Sequence, residues 1–429
     1  MINGKANASA TLGWHYIIND IIPLHKSSAI RTAMLLFTPG PTPTPESIRQ
    51  AMATPTLHHR TKEFESIFAK ARLGLQTMLN MEEVLMLASS GTGAMEASVL
   101  QFCHSKLLSI SCGKFGQRWG KIALANNLPH AELAKEWDTP ISVQEVLEAL
   151  QSDPSIDTLA LQVCESAGGL RLPLEQIARE VKTYRQDIII IADAITAMGV
   201  EPLDTTHIDV LIGGSQKAFM LPPGMSIIGL SKRALEVLEA RPTHRGGLYF
   251  SFLTELKNQR KNTTAWTAPT TLISGLVRYF EIVQALASSN LDAALESSAQ
   301  ELDSSLLAQG FLCAYTHTRA ISLATREAIS ALGLSLYPKS PALAMSAIAH
   351  DKAAEIRQRM KALGVNVAAG QDHIKDSIFR INHMGLIHIY EASYAINALE
   401  LSLDTLGLRS FDGAGNASFF GALKKQEIL

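Results

Sequence analysis

The 429-residue chain has few cysteines, no long basic run and no long apolar run. Its four cysteines form no CxxC pair and suggest no metal cage, so we expect no metal site and predict free thiols in a reducing cytoplasm. No basic run exceeds the pair Lys424-Lys425, and the formal net charge is -2, which argues against a nucleic-acid partner. No apolar stretch approaches the ~18–20 residues that cross a bilayer, so we expect no membrane partner.

The chain does contain apolar runs that alternate with amphipathic stretches. They predict strands at 83–88, 107–111, 158–163, 188–192, 210–213 and 225–230, and helices at 93–102, 115–125 and 174–184. Such repeated βα units indicate an α/β fold, with a mostly parallel sheet between helices. The later pattern predicts a smaller α+β domain, with helices at 272–287, 291–308 and 353–363 and strands near 320–324, 342–348 and 377–382.

Five segments are predicted along the chain. An N-terminal extension covers residues 1–33, and residues 34–52 pack with the small domain. The large domain covers residues 53–268, and the small C-terminal domain covers residues 269–408. Residues 409–429 are rich in glycine, alanine and phenylalanine and are predicted to be a loosely attached tail.

A glycine-rich turn follows the first of these strands. Residues 89–96 read SSGTGAME and open a helix, where unpaired N–H groups and the helix dipole favour a phosphate. The turn could also be purely structural or serve a dinucleotide, although the full GxGxxG spacing is missing. Gly91, Thr92 and Gly93 are therefore candidate phosphate-binding residues.

Three charged residues stand at or within apolar strands. Asp193 ends the IIIIA strand, where a carboxylate could keep a pyridine nitrogen protonated or could cap a helix. Lys217 follows a strand and precedes a rigid turn, which favours a positioned amine over a surface lysine. Arg380 lies on an apolar strand, where it could bind a substrate carboxylate or join a structural ion pair.

Together these features resemble the class V aminotransferases of fold type I, and most closely their serine–pyruvate, alanine–glyoxylate and serine–glyoxylate group. The resemblance runs from about residue 35 to residue 406. It rests on the PGP turn, the SGTGAME loop, the GKFGQR turn, Asp193 and Lys217 at their spacing of 24 residues, and the TTAWTAPTT segment. A fold-type I enzyme is expected to have a mostly parallel seven-stranded sheet in its large domain.

The resemblance implies the cofactor pyridoxal 5′-phosphate (PLP), held by Lys217 as a Schiff base, with Asp193 at the pyridine nitrogen and Phe115 stacked on the ring. It implies further cofactor contacts from the residues Gly91, Thr92, Gly93, Ser166, Gln216, Thr264 and Thr267. One of the two threonines would reach the phosphate of a neighbouring subunit, so a homodimer with shared sites is expected. Gly40 would border the substrate pocket, and Arg380 would hold the substrate carboxylate.

Two segments depart from the pattern of the family. Residues 162–169 read QVCESAGG where relatives usually have H-x-E-S/T-S/T-G, so the hydroxyl beside the PLP ring oxygen is either supplied by Ser166 or missing at Ala167. Residues 194–199 read AITAMG where relatives have more serines. Both departures concern the choice of substrate rather than the cofactor.

The resemblance implies a ping-pong transamination that moves an amino group from a small amino acid, serine or alanine, to a 2-oxo acid, glyoxylate or pyruvate. One recognisable arginine for a carboxylate fits a small substrate, because a dicarboxylate would need a second. One alternative is a PLP-dependent lyase of the cysteine desulfurase type, and another is a non-catalytic binding protein with this fold. The lyase needs a mobile cysteine after Lys217, but Cys313 lies in the apolar run GFLCAY and is expected to be buried.

Overall fold

The computed structural model describes residues 34–240 and 247–427. The chain divides into two units, Met1–Met34 and Leu35–Leu429, and every element named below belongs to the second. The predicted extension at residues 1–33 lies outside the described residues. Within the described residues, no helix is both long and apolar enough to span a membrane.

The described residues form strands of two to seven residues. In chain order these are β1 (Leu35–Phe37), β2 (Glu83–Leu87), β3 (Lys106–Ser111), β4 (His130–Ala134), β5 (Ile156–Gln162), β6 (Cys164–Glu165), β7 (Leu170–Arg171), β8 (Ile189–Asp193), β9 (Val210–Gly214), β10 (Ser226–Leu230), β11 (Ser335–Leu336), β12 (Met345–Ala349), β13 (Val365–Ala369) and β14 (Ile378–Asn382).

The helices of the described residues range from short connectors to one long helix. They are α1 (Glu46–Met52), α2 (Lys62–Leu79), α3 (Gly91–Phe102), α4 (Gln117–Ala125), α5 (Val143–Ser152), α6 (Leu174–Tyr184), α7 (Lys232–Ala240), α8 (Phe252–Gln259), α9 (Thr270–Ala285), α10 (Leu291–Glu296), α11 (Ser304–Ala331), α12 (Ala353–Ala362), α13 (Ile389–Thr405) and α14 (Ala414–Lys425). A 3₁₀ turn covers Asp372–Ile374.

The large sheet has seven strands in the order β2-β10-β9-β8-β5-β3-β4. The pairs from β9 to β4 are parallel, and β10 is antiparallel to both β2 and β9. This sheet confirms the predicted α/β fold. Its central strand β8 is buried along its whole length, and its isoleucines alternate between the two faces. Ile190 packs into one apolar cluster, while Ile189 and Ile191 pack into the other, so helices cover both sides.

The smaller domain contains a second sheet of five strands, in the order β1-β13-β14-β12-β11. Strand β1 joins this sheet by pairing in parallel with β13. The small domain therefore includes a strand that precedes the large sheet in the sequence. The strands β12, β13 and β14 are antiparallel neighbours. Their apolar side chains pack with those of α11 and α13 in a separate core cluster.

Two predictions for the C-terminal third of the chain are wrong. The residues predicted as a strand at 320–324 lie inside the 28-residue helix α11, whose N-terminus is capped by the Asp303 carboxylate. The residues predicted as a loose tail form helix α14, in which Phe419 and Leu423 are fully buried. These two side chains lie one helical turn apart and face the small-domain core, so the helix is packed rather than loosely attached.

The topology gathers several loops at one edge of the large sheet. The strands β3, β5, β8 and β9 are parallel. Strand β2 runs in the same direction as β9, because β10 lies between them and is antiparallel to both. Their carboxyl ends therefore lie at the same edge, where open α/β sheets bind ligands. Asp193 ends β8, and Lys217 follows β9.

Candidate active site

A cavity of about 290 Å³ lies at this edge of the sheet. Of the residues expected to hold cofactor or substrate, eight line it: Gly40, Gly91, Thr92, Phe115, Ser166, Asp193, Gln216 and Lys217. The other lining residues are Pro41, Ser90, Arg118, Cys164, Ile195 and Thr196. The cavity thus brings together residues from the PGP turn to the lysine loop, which are far apart in sequence.

The Lys217 side chain is held between the loop after β9 and the turn at residues 39–41. Its ammonium donates a hydrogen bond to the carbonyl of Pro39. Its own carbonyl accepts a hydrogen bond from Thr42 Oγ1 at 2.7 Å. Burial, together with the nearby charge of Arg380, lowers the pKa of Lys217 to about 8. A larger fraction of this amine is therefore neutral near pH 7 than for an exposed lysine, as a nucleophilic amine requires.

Asp193 presents a buried carboxylate to the cavity. It stands opposite Gln162 in the parallel register of β5 and β8, and its Oδ1 accepts the N–H of Ile195 at 2.9 Å. Burial raises the pKa of Asp193 to about 6, while the Ile195 N–H and the positive charges of Arg118 and Lys217 act in the opposite direction. Above pH 6 the cavity therefore holds a negative charge at the end of β8.

The glycine-rich turn opens helix α3 at the rim of the cavity. Ser90 is the N-cap residue, and in the described part of the chain its side chain makes no capping hydrogen bond. The first N–H groups of a helix have no intrahelical partner and attract anions. A Cβ on Gly91 would lie 2.2 Å from Ile195 Cδ1, so a larger residue here would require the Ile195 side chain to move. The turn therefore offers a close approach to a phosphate.

Arg118 joins the phosphate turn to the aromatic residue of the cavity. Its Nη1 donates a hydrogen bond to Thr92 Oγ1 at 2.9 Å. Its guanidinium carbon lies 4.9 Å from the centre of the Phe115 ring, a cation–π distance. The sequence marked this arginine only as part of the GKFGQR turn, and the structure shows that it connects two parts of the cavity.

Arg380 does not line the cavity, although its charge acts on Lys217. On β14, its Nε donates to the carbonyl of Ala369 at 2.8 Å, and its Nη1 donates to the carbonyl of Ser166. Burial lowers its pKa to about 10, so it remains protonated at neutral pH. These two bonds use two of its five N–H groups, and no bond within the described residues uses the others.

Three further predicted residues also lie outside the cavity lining. Gly93 lies in the first turn of α3, two residues after Gly91. Thr264 and Thr267 line a separate small pocket beside Tyr249 and Trp266, whose rings are stacked 6.1 Å apart. Within one chain these two threonines are therefore not brought to Lys217, and their contact with a neighbouring subunit's cofactor stays a prediction.

The residues of the cavity fit PLP in the chemistry of their donor groups. A helix start without a side-chain cap suits the phosphate, and the Asp193 carboxylate suits a protonated pyridine nitrogen. A lysine whose pKa is lowered to about 8 suits reaction with an aldehyde. Cys164 also lines the cavity, and burial raises the pKa of its thiol, which keeps it protonated.

The family is decided by a direct comparison of the sequence. The sequence model of the family "Aminotransferase class-V" matches residues 34–334. The chain belongs to the class V aminotransferases. Over 387 residues it is 50% identical to an uncharacterized aminotransferase of Helicobacter pylori strain 26695, covering 90% of this chain and 98% of the relative.

More distant relatives of this aminotransferase are named for an activity. It is 24% identical over 411 residues to a serine–glyoxylate aminotransferase of Methylorubrum extorquens, covering 92% of this chain and 96% of the relative. Among solved structures, a subgroup IV aspartate aminotransferase from Thermus thermophilus superposes with a TM-score of 0.74 at 27% identity, covering 86% of this chain and 99% of that one. The chain is therefore an aminotransferase of the fold-type I architecture.

The expectation that Cys313 is buried is wrong. This cysteine is exposed on α11 of the aminotransferase, because it points away from the helix face that buries Phe311 and Ala314. It does not line the cavity of Lys217, and it stands on a regular helix rather than on a loop. The cysteine desulfurase alternative therefore gains no support from the residue on which it depended.

Proposed function

We propose that this class V aminotransferase uses PLP to move an amino group from a small amino acid, serine or alanine, to a small 2-oxo acid, glyoxylate or pyruvate. The observation that carries the proposal is the single cavity that joins Lys217, Asp193 and the glycine-rich turn, with Arg380 beside it. When bound, PLP supplies an electron sink that makes the Cα proton of an amino acid acidic.

Each protein group then has one task. Lys217 would hold the cofactor, and its amine, whose lowered pKa suits proton transfer, would accept the proton from the substrate Cα. Asp193 would keep the pyridine nitrogen protonated. The helix start at Gly91 and the side chains of Thr92 and Gln216 would bind the phosphate, and Phe115 would pack on the ring.

The proposed substrate class follows from the cations near the cavity. Arg118 is already engaged with Thr92 and the Phe115 ring, at the phosphate side. Among residues 34–240 and 247–427, Arg380 is the arginine beside the cavity that keeps N–H groups for a substrate carboxylate, and its guanidinium can bind one carboxylate in a bidentate way. We infer that a monocarboxylate amino acid fits better than aspartate or glutamate.

We further propose a homodimer in which Thr264 or Thr267 reaches the partner's cofactor phosphate. The exposed ring of Tyr249 beside these threonines supports an interface at this surface. The unpaired thiols of Cys112, Cys164 and Cys313 agree with a reducing cytoplasm as the compartment.

The decisive experiment measures cofactor capture and the half-reaction separately. Wild-type protein incubated with PLP is expected to gain an absorbance band at the violet edge, which serine or alanine converts and aspartate does not. Lys217→Ala should lose the band, whereas the control Lys232→Ala, at an exposed lysine on α7, should keep it. A wild-type protein that stays colourless with PLP would overturn the proposal, and rapid conversion by aspartate would overturn the substrate class.

A further inference from the structure

Glu165 is a fully buried carboxylate beside the cavity, although it does not line it. Its Oε2 accepts the N–H groups of Phe115 at 2.9 Å and Gly116 at 2.8 Å, and its Oε1 accepts that of Ala167 at 3.0 Å. A buried carboxylate is costly unless its oxygens are hydrogen-bonded. Here the required donors come from the backbone of two different loops, so the side chain ties these loops together.

The turn that carries Phe115 is shaped around this side chain. A Cβ on Gly113 would lie 2.3 Å from Glu165 Cγ and 2.4 Å from its Cδ. Because this separation is far below a normal carbon contact, only glycine lets the turn close on the carboxylate. The position of Phe115 over the cavity therefore depends on where Glu165 holds the backbone of the turn.

The same carboxylate also fixes the partner of the substrate arginine. Ser166, whose carbonyl accepts a hydrogen bond from Arg380, lies between Glu165 itself and Ala167, which the carboxylate binds. Burial raises the pKa of Glu165 to about 7, although its backbone N–H donors act in the opposite direction, and in its charged form Glu165 acts to raise the pKa of Arg380 and of Lys217. Glu165 is thus linked to the aromatic side and to the arginine side of the cavity.

We propose that Glu165 is a positioning residue of the aminotransferase site, which holds Phe115 against the cofactor ring and, through the Ser166 carbonyl, holds Arg380 at the substrate carboxylate. This inference rests on the proposed function, because it needs PLP in the cavity. It assigns no proton transfer to Glu165. The residue acts through the two side chains that it places.

The first test is the PLP affinity of Glu165→Gln. In this variant an amide NH₂ replaces one of the two carboxylate oxygens, so at least one backbone N–H group loses its acceptor. Since aromatic packing on a ring is worth roughly two- to tenfold in binding, we expect the PLP dissociation constant to rise by about three- to tenfold. We also expect the KM for the amino acid to rise, since Arg380 loses its fixed place. Equilibrium dialysis of apoprotein with PLP measures the affinity without any need for activity.

Glu400 offers a matched control in the small domain. This buried carboxylate also accepts three backbone N–H groups, those of Asp412 at 3.2 Å, Gly413 at 3.0 Å and Gly415 at 3.2 Å, and in addition pairs with Arg409 Nη1 at 2.9 Å. Glu400→Gln is expected to lower the melting temperature without changing the PLP dissociation constant or the KM for the amino acid. A general loss of stability would instead change these constants in both variants.

A double-variant cycle tests whether Glu165 acts through Phe115. On a Phe115→Ala background, Glu165→Gln should change the PLP dissociation constant by less than about twofold, because the ring that it positions is gone. The positioning role is overturned if Glu165→Gln alone binds PLP as tightly as the wild type. It is also overturned if Glu165→Gln weakens PLP binding by the same factor in the Phe115→Ala background as in the wild type. If Glu165→Gln does not fold, Glu165→Asp, which keeps the charge but shortens the side chain, enters the same cycle.

The failure of the inference and that of the proposed function give different results. A wild-type protein that binds no PLP overturns both. A wild-type protein that binds PLP through Lys217, together with a Glu165→Gln protein of unchanged affinity and KM, overturns only the role of Glu165.

Discussion

The turn at residues 39–41 is predicted to position the reactive amine, and Gly40→Ala tests this directly. Gly40 has a φ of +96°. An added Cβ would lie 2.7 Å from Lys217 Cδ and 2.8 Å from both its Cε and its Nζ. Carbon atoms in contact are normally ~3.5–4.0 Å apart. The alanine therefore forces either the turn or the Lys217 side chain to move.

The backbone strain and the contact with Lys217 can be separated with a second glycine. Gly364 has a φ of +83°, and a Cβ there meets nothing within 4 Å. Gly364→Ala should therefore lose only about 1–2 kcal/mol of unfolding free energy, the cost of a non-glycine residue at positive φ. Gly40→Ala should lose at least as much. Because a shift of ~1 Å in a reacting group costs up to ~100-fold in rate, it should also capture PLP about 10- to 100-fold more slowly.

Two measurements check this expectation. Urea denaturation gives the unfolding free energy of both variants, and stopped-flow absorbance gives the rate at which each apoprotein captures PLP. The reasoning is refuted if Gly40→Ala captures PLP at the wild-type rate while losing the same stability as Gly364→Ala. In that case the turn would border the lysine without positioning it.

Three further predictions concern charges in the large domain. The rate of PLP capture should rise with pH up to about 8 and then level off, because burial lowers the pKa of Lys217 to about 8 and only the neutral amine attacks PLP. A rate that keeps rising toward pH 10 would contradict this prediction. Asp193→Asn should reduce the transamination rate on the order of 100-fold while PLP stays covalently bound, and steady-state kinetics would show a smaller effect if the charge is unimportant. Asp209→Ala should cost about 3–5 kcal/mol in urea denaturation, because Lys182, 2.7 Å from that carboxylate, stays buried without its partner. Adding Lys182→Met should recover part of this loss, and no recovery would show that the cost has another source.

Six of the seven strands of the large sheet were predictable because they are short apolar runs, whereas the edge strand β4 was missed because its sequence HAELA is polar and its side chains are largely accessible. The run at 188–192 has no polar position, and β8 is buried on both faces as that pattern requires. The residues AISLA at 320–324 have the same appearance, but they belong to α11. A short apolar run does not by itself distinguish a strand from a buried helix segment, and the turn signals that bound a strand are missing there.

The candidate site divides in the same way. Lys217, Asp193 and the glycine-rich turn could be predicted because each lies at or just after the carboxyl end of a strand, and parallel strands share one edge at their carboxyl ends. The role of Glu165 could not be predicted, because it depends on backbone N–H groups of a turn about 50 residues earlier. Helix α14 was hidden by its glycine-rich composition, although Phe419 and Leu423 have the spacing of one helical face.

The reversed strand β10 has a consequence for the order in which the protein is synthesised. Strand β2 emerges from the ribosome long before β10, its only sheet neighbour among the described residues, which follows about 140 residues later. Until β10 is synthesised, the hydrophobic strand β2 has no partner on either edge, and such unpaired strands promote aggregation of nascent chains. Truncated chains that end before residue 226 should therefore aggregate or recruit chaperones, whereas chains extended past residue 230 can close the sheet.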